Sequence, residues 1–175
     1  PYDDPHIIAG QGTIALEMLA DVPELDAIVV PIGGGGVIGG IAVAAKDINP
    51  RIEIIGVEAE LYPSMYQAVH GLAPTSGGET IAEGIAVKAP GQLTQEIIER
   101  LVDDIILVDE LALESAVQTM AETGKVIVEG SGAAPLAAIT QQQERFAGKR
   151  IGLVACGANI DSRLLSSILL RGMIR

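Results

Sequence analysis

Four consecutive glycines follow a short, continuous apolar run and lead directly into a helical pattern. The apolar run is Ala27 to Ile32, the glycines are Gly33 to Gly36, and the helical pattern covers Val37 to Asp47. Glycine allows the backbone to bend where a side chain would clash, so that backbone N–H groups can face a ligand. The start of a helix adds unpaired N–H donors and the positive end of the helix dipole. This unit therefore predicts a strand, a tight loop and a helix that together bind phosphate or another small anion.

The rest of the chain continues the alternation of short apolar strands with helical patterns. Strands are predicted near 27–32, 52–57, 105–108 and 150–155, and helices near 7–20, 37–47, 61–70, 91–102, 110–122, 132–146 and 160–171. Strands that are apolar throughout are typical of a parallel sheet that is buried on both faces. We therefore predict an α/β fold, a parallel sheet of about four strands with helices on both faces, as a single domain over residues 1–175. The loops at 33–36, 58–60 and 156–159 then lie at the ligand-binding edge of the sheet.

Composition narrows the class of function. Hydrophobic residues make up 49% of the chain but aromatic residues only 2%, so the core has to consist of Ala, Val, Ile and Leu. The net charge of −12 argues against a nucleic-acid partner, which requires a basic surface, but leaves a small anionic ligand possible. The single cysteine excludes an intrachain disulfide and indicates a cytoplasmic protein. No apolar run is long enough to span a membrane, so no membrane partner is expected.

The glycine loop alone leaves three interpretations open. Gly34, Gly36 and Gly39 fit the dinucleotide-binding fingerprint, and Glu58 ends the next predicted strand, where an acid would meet a ribose hydroxyl. A different phosphate ligand or a purely structural glycine turn would give the same local pattern. A P-loop is excluded because no Gly-Lys-Ser/Thr sequence follows the glycines.

Two more segments carry candidate functional side chains. Cys156 follows a predicted strand, where it is a nucleophile activated by a helix N-terminus, a ligand contact, or a small residue in a tight turn. Glu129 precedes a predicted helix with Ser131 as its N-cap, so its carboxylate either supports that cap or faces the ligand edge. His6 and His70 are predicted to be solvated. Because no pair of His or Cys residues has metal-ligand spacing, the sequence predicts no metal site.

Four motifs occur in a fixed order along the chain. They are residues 3–13 (DDPHIIAGQGT), 31–36 (PIGGGG), 79–84 (ETIAEG) and 156–161 (CGANID). Together they resemble the threonine dehydratases, or threonine ammonia-lyases, of the fold-type II pyridoxal-phosphate enzymes, whose near relatives include serine dehydratases and serine racemases. Four ordered motifs are more specific than one glycine run, so this resemblance is favoured over the dinucleotide interpretation.

The resemblance implies pyridoxal 5'-phosphate as the cofactor and gives roles to the candidate residues. The cofactor phosphate would be bound by backbone N–H groups of Gly33, Gly34, Gly35, Gly36 and Val37. Gly84 would lie beside the cofactor ring, and Glu129 would also lie near the cofactor. Cys156 occupies the position that faces the pyridine nitrogen, where the family usually has Ser. A neutral thiol there would suit elimination of a β-hydroxyl.

The resemblance also implies an activity, and it implies a lysine-bearing motif that this sequence does not contain. The activity is that of an L-threonine (L-serine) ammonia-lyase in isoleucine biosynthesis, which acts on a small amino acid. The alternatives are a serine racemase or another fold-type II enzyme, or a non-catalytic dinucleotide-binding module. The family's cofactor-binding lysine lies in a Ser-x-Lys-x-Arg-Gly-Ala stretch, which none of this chain's lysines matches: Lys46, Lys88, Lys125 and Lys149.

We therefore expect a fragment of the catalytic domain that lacks the lysine-bearing N-terminal part and the small domain. Such a fragment would be inactive alone, and it would form a homo-oligomer or pair with the missing N-terminal part. Some relatives bind a divalent cation through an acid at the position of Glu58 and a second acid at the position of Ser64. With one of the two acids replaced by serine, no metal is expected.

Overall fold

Four short parallel strands form the centre of the fold, here a computed structural model that describes residues 2–172. The strands are β1 (Ala27–Pro31), β2 (Glu53–Ala59), β3 (Asp104–Val108) and β4 (Ile151–Leu153). Their order in the sheet is β3-β2-β1-β4, and each neighbouring pair is parallel. Ala27 is level with Glu53 on one side and with Ile151 on the other. The predicted α/β class with a four-stranded parallel sheet is confirmed.

Helices precede the sheet and connect its strands. They are α1 (Pro5–Gln11), α2 (Thr13–Asp21), α3 (Gly36–Ile48), α4 (Ser64–Val69), α5 (Gln92–Leu101), α6 (Glu110–Thr119), α7 (Gly130–Gln141), α8 (Gln143–Phe146) and α9 (Ser162–Gly172). A 3-10 turn covers Glu83–Ile85, and a π-helical turn covers Met120–Gly124. Among the helices of the described chain, none is both long and apolar enough to cross a membrane.

Three predicted elements differ from the structure. The helix predicted over 7–20 is divided at Gly12 into α1 and α2. This junction packs directly on α3, since a β-carbon at Gly12 would lie 3.0 Å from the carbonyl oxygen of Gly40. The helix predicted over 132–146 is likewise divided, at Gln142, into α7 and α8. Residues 125–128, predicted as a short strand or a helix end, have no regular structure.

Strand β1 is buried on both faces because helices cover the sheet from two sides. Ala27 and Val29 pack into a cluster with residues of α6, α7 and α9. Ile28 and Val30 point the other way, into a cluster with residues of α2, α3 and α5. The carboxyl end of β1 is therefore fixed between two helical layers, and so is the glycine loop that follows it.

Glu58 anchors helix α4 to the sheet. It lies inside β2 with 1% of its surface exposed, and its two carboxylate oxygens accept hydrogen bonds from the backbone N–H groups of Met65 and Tyr66, each at 2.8 Å. Burial raises the pKa of Glu58 to about 7, and the hydrogen bonds from Tyr66 and Met65 partly oppose this rise. The predicted loop at 58–60 is thus wrong, since Glu58 and Ala59 belong to the strand.

Replacement of Glu58 with Gln is expected to change how the free energy of unfolding depends on pH. The pKa of Glu58 rises from 4.5 to about 7 on folding, so the folded protein holds the proton more tightly within this window. Stability therefore falls as pH rises from 4.5 to 7, by up to about 3 kcal/mol, and Glu58→Gln removes this fall because Gln does not ionise. Urea unfolding at several pH values measures the effect. The matched change at an exposed acid, Glu60→Gln, should keep the wild-type slope, and an unchanged slope in Glu58→Gln would contradict the assignment.

Candidate functional site

A cavity of about 430 Å³ opens at the carboxyl edge of the sheet. It lies between the glycine loop after β1, the 3-10 turn, the start of α7 and the segment after β4. All eight candidate residues from the sequence line it: Gly33, Gly34, Gly35, Gly36, Val37, Gly84, Glu129 and Cys156. Its volume lies within the range of about 300–1,000 Å³ that is usual for small-molecule sites. The structure therefore brings together residues that are more than a hundred positions apart in the sequence.

The N-terminus of α3 points at this cavity without a side-chain cap. Gly35 is the N-cap residue, with a left-handed φ of 92°, and no side chain within the described chain bonds to the first N–H groups of α3. The other helices that follow a strand are all capped by a carboxylate: Glu58 for α4, Asp109 for α6 and Asp161 for α9. The helix dipole and the free N–H groups of α3 therefore remain available to an anion.

Close packing around the loop leaves no room for a side chain at Gly34 or Gly35. A β-carbon at Gly34 would overlap the ring of Tyr2, which also lines the cavity. A β-carbon at Gly35 would lie 2.8 Å from Met65 Cε and 2.8 Å from Thr94 Cβ. Larger residues at these positions would push the loop out of place. Neither Tyr2 nor Thr94 was expected from the sequence, because each reaches the loop from a distant segment.

Glu129 and Ser131 form a polar wall of the cavity at the start of α7. Glu129 is the N-cap of α7, and its Oε2 accepts a hydrogen bond from the backbone N–H of Ser131 at 2.9 Å. The prediction of Ser131 as the N-cap is wrong, because α7 begins at Gly130 and Glu129 caps it through the Ser131 N–H. Ser131 is 2% exposed, and within the described structure its Oγ has no hydrogen-bond partner. An unpartnered hydroxyl in a cavity wall requires a partner from a ligand or water.

Gly84 is held against this wall by a contact from α6. A β-carbon at Gly84 would lie 2.9 Å from Oε1 of Glu129 and 2.9 Å from Oγ of Ser131. The loop that carries Gly84 is fixed by Glu110, whose carboxylate accepts hydrogen bonds from the Thr80 hydroxyl at 2.6 Å and from the Ile81 N–H at 2.9 Å. Only glycine leaves room for a ligand group beside Glu129 here.

Cys156 lies on the cavity wall in the irregular segment between β4 and α9. Helix α9 begins only at Ser162, which argues against the alternative in which a helix N-terminus activates this thiol. The residue is exposed, yet partial burial of its thiol raises the pKa of Cys156, and the negative charge of Glu129 adds to the rise. The thiol therefore remains neutral near pH 7, where it can accept or weakly donate a hydrogen bond.

The cavity contains a carboxylate but no basic side chain from the described residues. None of the chain's four lysines lines it: Lys46, Lys88, Lys125 and Lys149. Lys46 and Lys149 instead form salt bridges with Asp103 and Glu53 at the other end of the sheet, each at 2.8 Å. An anion in this cavity would therefore be bound by backbone N–H groups rather than by lysine or arginine.

The structure argues against the dinucleotide interpretation. Glu58 does not line the cavity, and both of its oxygens are engaged by α4, so it is not available to a ribose hydroxyl.

Across residues 2–172 no group of three or more His, Cys, Asp or Glu side chains is arranged to hold a metal ion. Both His6 and His70 are exposed.

Comparison with known proteins agrees with the geometry of the cavity. Residues 1–157 match the family described as "Pyridoxal-phosphate dependent enzyme". The chain is 42% identical over 177 residues to an L-threonine ammonia-lyase of Thermotoga maritima, a match that covers 100% of this chain and 44% of that protein. A threonine deaminase isoform 2 of Solanum lycopersicum is 33% identical with a TM-score of 0.89, over 99% of this chain and 49% of that one. Maize serine racemase is 38% identical with a TM-score of 0.83, over 95% of this chain and 53% of that one.

The parallel sheet, with the glycine loop and the uncapped start of α3 at its carboxyl edge, defines the class as an α/β domain with a candidate anion-binding site. The family match is specific: this chain belongs to the pyridoxal-phosphate dependent enzymes. The resemblance to threonine dehydratases and the cofactor prediction are thereby confirmed. The chain spans about half the length of the curated relatives that it matches.

The residues present fit this cofactor. The open N-terminus of α3 offers donors for a phosphate group, and the start of α7, with the unpartnered Ser131 hydroxyl, offers a polar wall. Gly84 leaves space beside Glu129 and Ser131. That the eight candidate residues bind the cofactor remains a prediction.

Replacement of Gly35 with Val is expected to abolish binding of inorganic phosphate and of pyridoxal phosphate. The φ of 92° is strained for Val, and the new β-carbon would lie 2.8 Å from Met65 Cε and Thr94 Cβ. Isothermal titration calorimetry measures both affinities. Gly71→Val is the matched control, since Gly71 also has a positive φ, of 64°, but lies outside the cavity with no atom within 4 Å of the added β-carbon. Wild-type affinity in Gly35→Val would contradict the site.

Alkylation of Cys156 tests the effect of the Glu129 charge on its thiol. Because Cys156 is the only cysteine, the mass of the whole chain reports its reaction with iodoacetamide. Glu129→Gln removes a charge that raises the pKa of the thiol, so alkylation at pH 8 should become about twofold faster. Glu83→Gln, at an exposed acid outside the cavity, should leave the rate unchanged. Equal rates in Glu129→Gln and in the wild type would show that the two side chains do not interact.

Proposed function

We propose that this chain is the phosphate-binding part of a pyridoxal-phosphate dependent L-threonine ammonia-lyase. Such an enzyme converts L-threonine to 2-oxobutanoate and ammonia, with L-serine as a second substrate. The main support for this proposal is the uncapped N-terminus of α3, which faces the same cavity as Gly84, Glu129 and Cys156. Similarity to a protein named L-threonine ammonia-lyase over the whole of this chain supports the choice of reaction.

Backbone donors hold the cofactor phosphate in this proposal. The N–H groups of Gly33–Gly36 and Val37 would hold the phosphate oxygens, and the positive end of the α3 dipole would face them. Each hydrogen bond to a charged oxygen contributes about 1.5–3 kcal/mol. This arrangement explains how a chain with a net charge of −12 binds an anion without a basic residue in the cavity wall.

The cavity wall formed by Gly84, the start of α7 and Cys156 positions the cofactor ring in this proposal. Gly84 leaves room for the flat ring, while Glu129 and Ser131 supply polar atoms beside it. Cys156, whose raised pKa keeps the thiol neutral, would face the pyridine nitrogen and would not enforce a positive charge there. Pyridoxal phosphate, when bound, supplies an electron-withdrawing ring that stabilises negative charge on the substrate Cα. A neutral partner limits this withdrawal and suits loss of the β-hydroxyl.

The lysine that bonds to the cofactor and moves the substrate proton is proposed to lie outside this chain. No lysine of the described residues lines the cavity, and the chain spans about half the length of its relatives. Residues 1–175 are then one domain that joins a lysine-bearing part and a small domain. Assembly into a homo-oligomer, or pairing with the lysine-bearing part, and a role in isoleucine biosynthesis in the cytoplasm complete the proposal.

Borohydride treatment separates cofactor binding from covalent attachment. The isolated chain is expected to bind pyridoxal phosphate reversibly and to show no specific pyridoxyl-lysine after reduction, because its lysines lie outside the cavity. Peptide mass spectrometry locates any adduct. A single stoichiometric adduct on Lys46, Lys88, Lys125 or Lys149, together with threonine turnover, would overturn this division of labour.

A serine racemase is the second candidate, favoured by the 38% identity with maize serine racemase. The longer protein that contains this chain distinguishes the two activities. An ammonia-lyase releases ammonia and 2-oxobutanoate from L-threonine, whereas a racemase forms D-serine from L-serine, which chiral chromatography detects. Racemisation without deamination would overturn the lyase proposal and leave the cofactor site intact.

A further inference from the structure

Thr94, in the first turn of α5, contacts the back of the glycine loop. It is fully buried, and its hydroxyl donates a hydrogen bond to the carbonyl oxygen of Gly34 at 2.7 Å. A longer contact of 3.2 Å joins the same hydroxyl to the carbonyl oxygen of Gly91. No residue of α5 lines the cavity, so any effect of Thr94 on a ligand has to pass through the loop.

The contact fixes the orientation of one peptide group. In a planar trans peptide the carbonyl and the N–H point in opposite directions. Since Thr94 holds the carbonyl of Gly34 towards α5, the N–H of Gly35 in the same peptide points away from α5. Gly35 itself lines the cavity and is the N-cap of α3. The backbone N–H of Gly91 makes a longer contact with the same Gly34 carbonyl, at 3.5 Å. The N–H of Gly35 is therefore aimed mainly by the Thr94 hydroxyl, which lies outside the cavity.

Asp3 holds Thr94 in place from a distant part of the sequence. Its Oδ1 accepts a hydrogen bond from the backbone N–H of Thr94 at 3.1 Å, and its Oδ2 accepts one from the N–H of Gln92 at 3.0 Å. This exposed carboxylate therefore caps α5, whose own N-cap residue is a glycine. The adjacent Tyr2 covers Gly34 from the other side. The loop is thus held between the Tyr2–Asp3 segment and the start of α5.

We propose that Thr94 is a positioning residue for anion binding, since its hydroxyl turns the Gly34–Gly35 peptide so that the Gly35 N–H donates to the bound phosphate. This inference rests on the proposed function of the glycine loop. Rotation of that peptide would replace a donor by a carbonyl oxygen, which repels phosphate. Removal of the Thr94 hydroxyl should therefore weaken anion binding more than the loss of one buried hydrogen bond would suggest.

Thr94→Val tests the inference, because Val keeps the shape of Thr without the hydroxyl. Calorimetric titration with inorganic phosphate and with pyridoxal phosphate is expected to show about tenfold weaker binding. Thr94→Ser, which restores the hydroxyl, should bind within about twofold of the wild type. Ile98→Val on the same helix removes buried packing without touching the loop and controls for general destabilisation, which urea unfolding measures. Asp3→Ala, at an exposed residue, should weaken binding in the same direction even if Thr94→Val fails to fold.

Each outcome separates the inference from the proposed site. Weak binding in Thr94→Val with normal binding in Thr94→Ser and Ile98→Val supports the positioning role. Equal binding in Thr94→Val and the wild type overturns that role and leaves the site standing. Equal weakening in Thr94→Val and Ile98→Val, in proportion to lost stability, also overturns it in favour of a purely structural role. A wild-type chain that binds neither phosphate nor pyridoxal phosphate overturns the anion site itself.

Discussion

The uncapped N-terminus of α3 is the feature on which the site depends. In the other helices of the described chain that follow a strand, the first N–H groups donate hydrogen bonds to a carboxylate. Glu58 accepts them in α4 and Asp109 in α6. A carboxylate in that place satisfies the donors and repels anions. At α3 four glycines stand where such a side chain would lie, so the donors stay free. In this acidic protein the start of α3 is therefore the proposed binding place for an anion.

The rest of the fold keeps that helix start in position. Burial of β1 on both faces fixes the point at which the chain enters the loop. Contacts from distant segments then hold the walls: Asp3 and Thr94 behind the loop, and Glu110 behind the turn that carries Gly84. These contacts join parts of the chain that are far apart in sequence. The geometry of the cavity is consequently a property of the whole sheet and its two helical layers.

Local patterns were sufficient to predict the sheet and the glycine loop, because apolar strands and glycine runs are determined by neighbouring residues. The loop that carries Cys156 was expected at the ligand edge from the strand pattern, and Glu129 was an open alternative there. The place of Gly84 beside them was expected only from the resemblance to threonine dehydratases. Glu58 was misinterpreted because sequence spacing does not reveal which side chain will cap a helix. Long-range capping and packing also hid Thr94, whose role requires a contact with Gly34, sixty positions earlier in the chain.

An amide NMR titration with inorganic phosphate tests the central claim, that free backbone donors at the start of α3 bind the anion. The account predicts saturable shifts of the Gly33–Val37 amide signals. Gly71 and Gly148, which have positive φ but lie outside the cavity, should not shift. Shifts confined to arginine- or lysine-bearing segments, or no saturation at the glycine loop, would contradict the account.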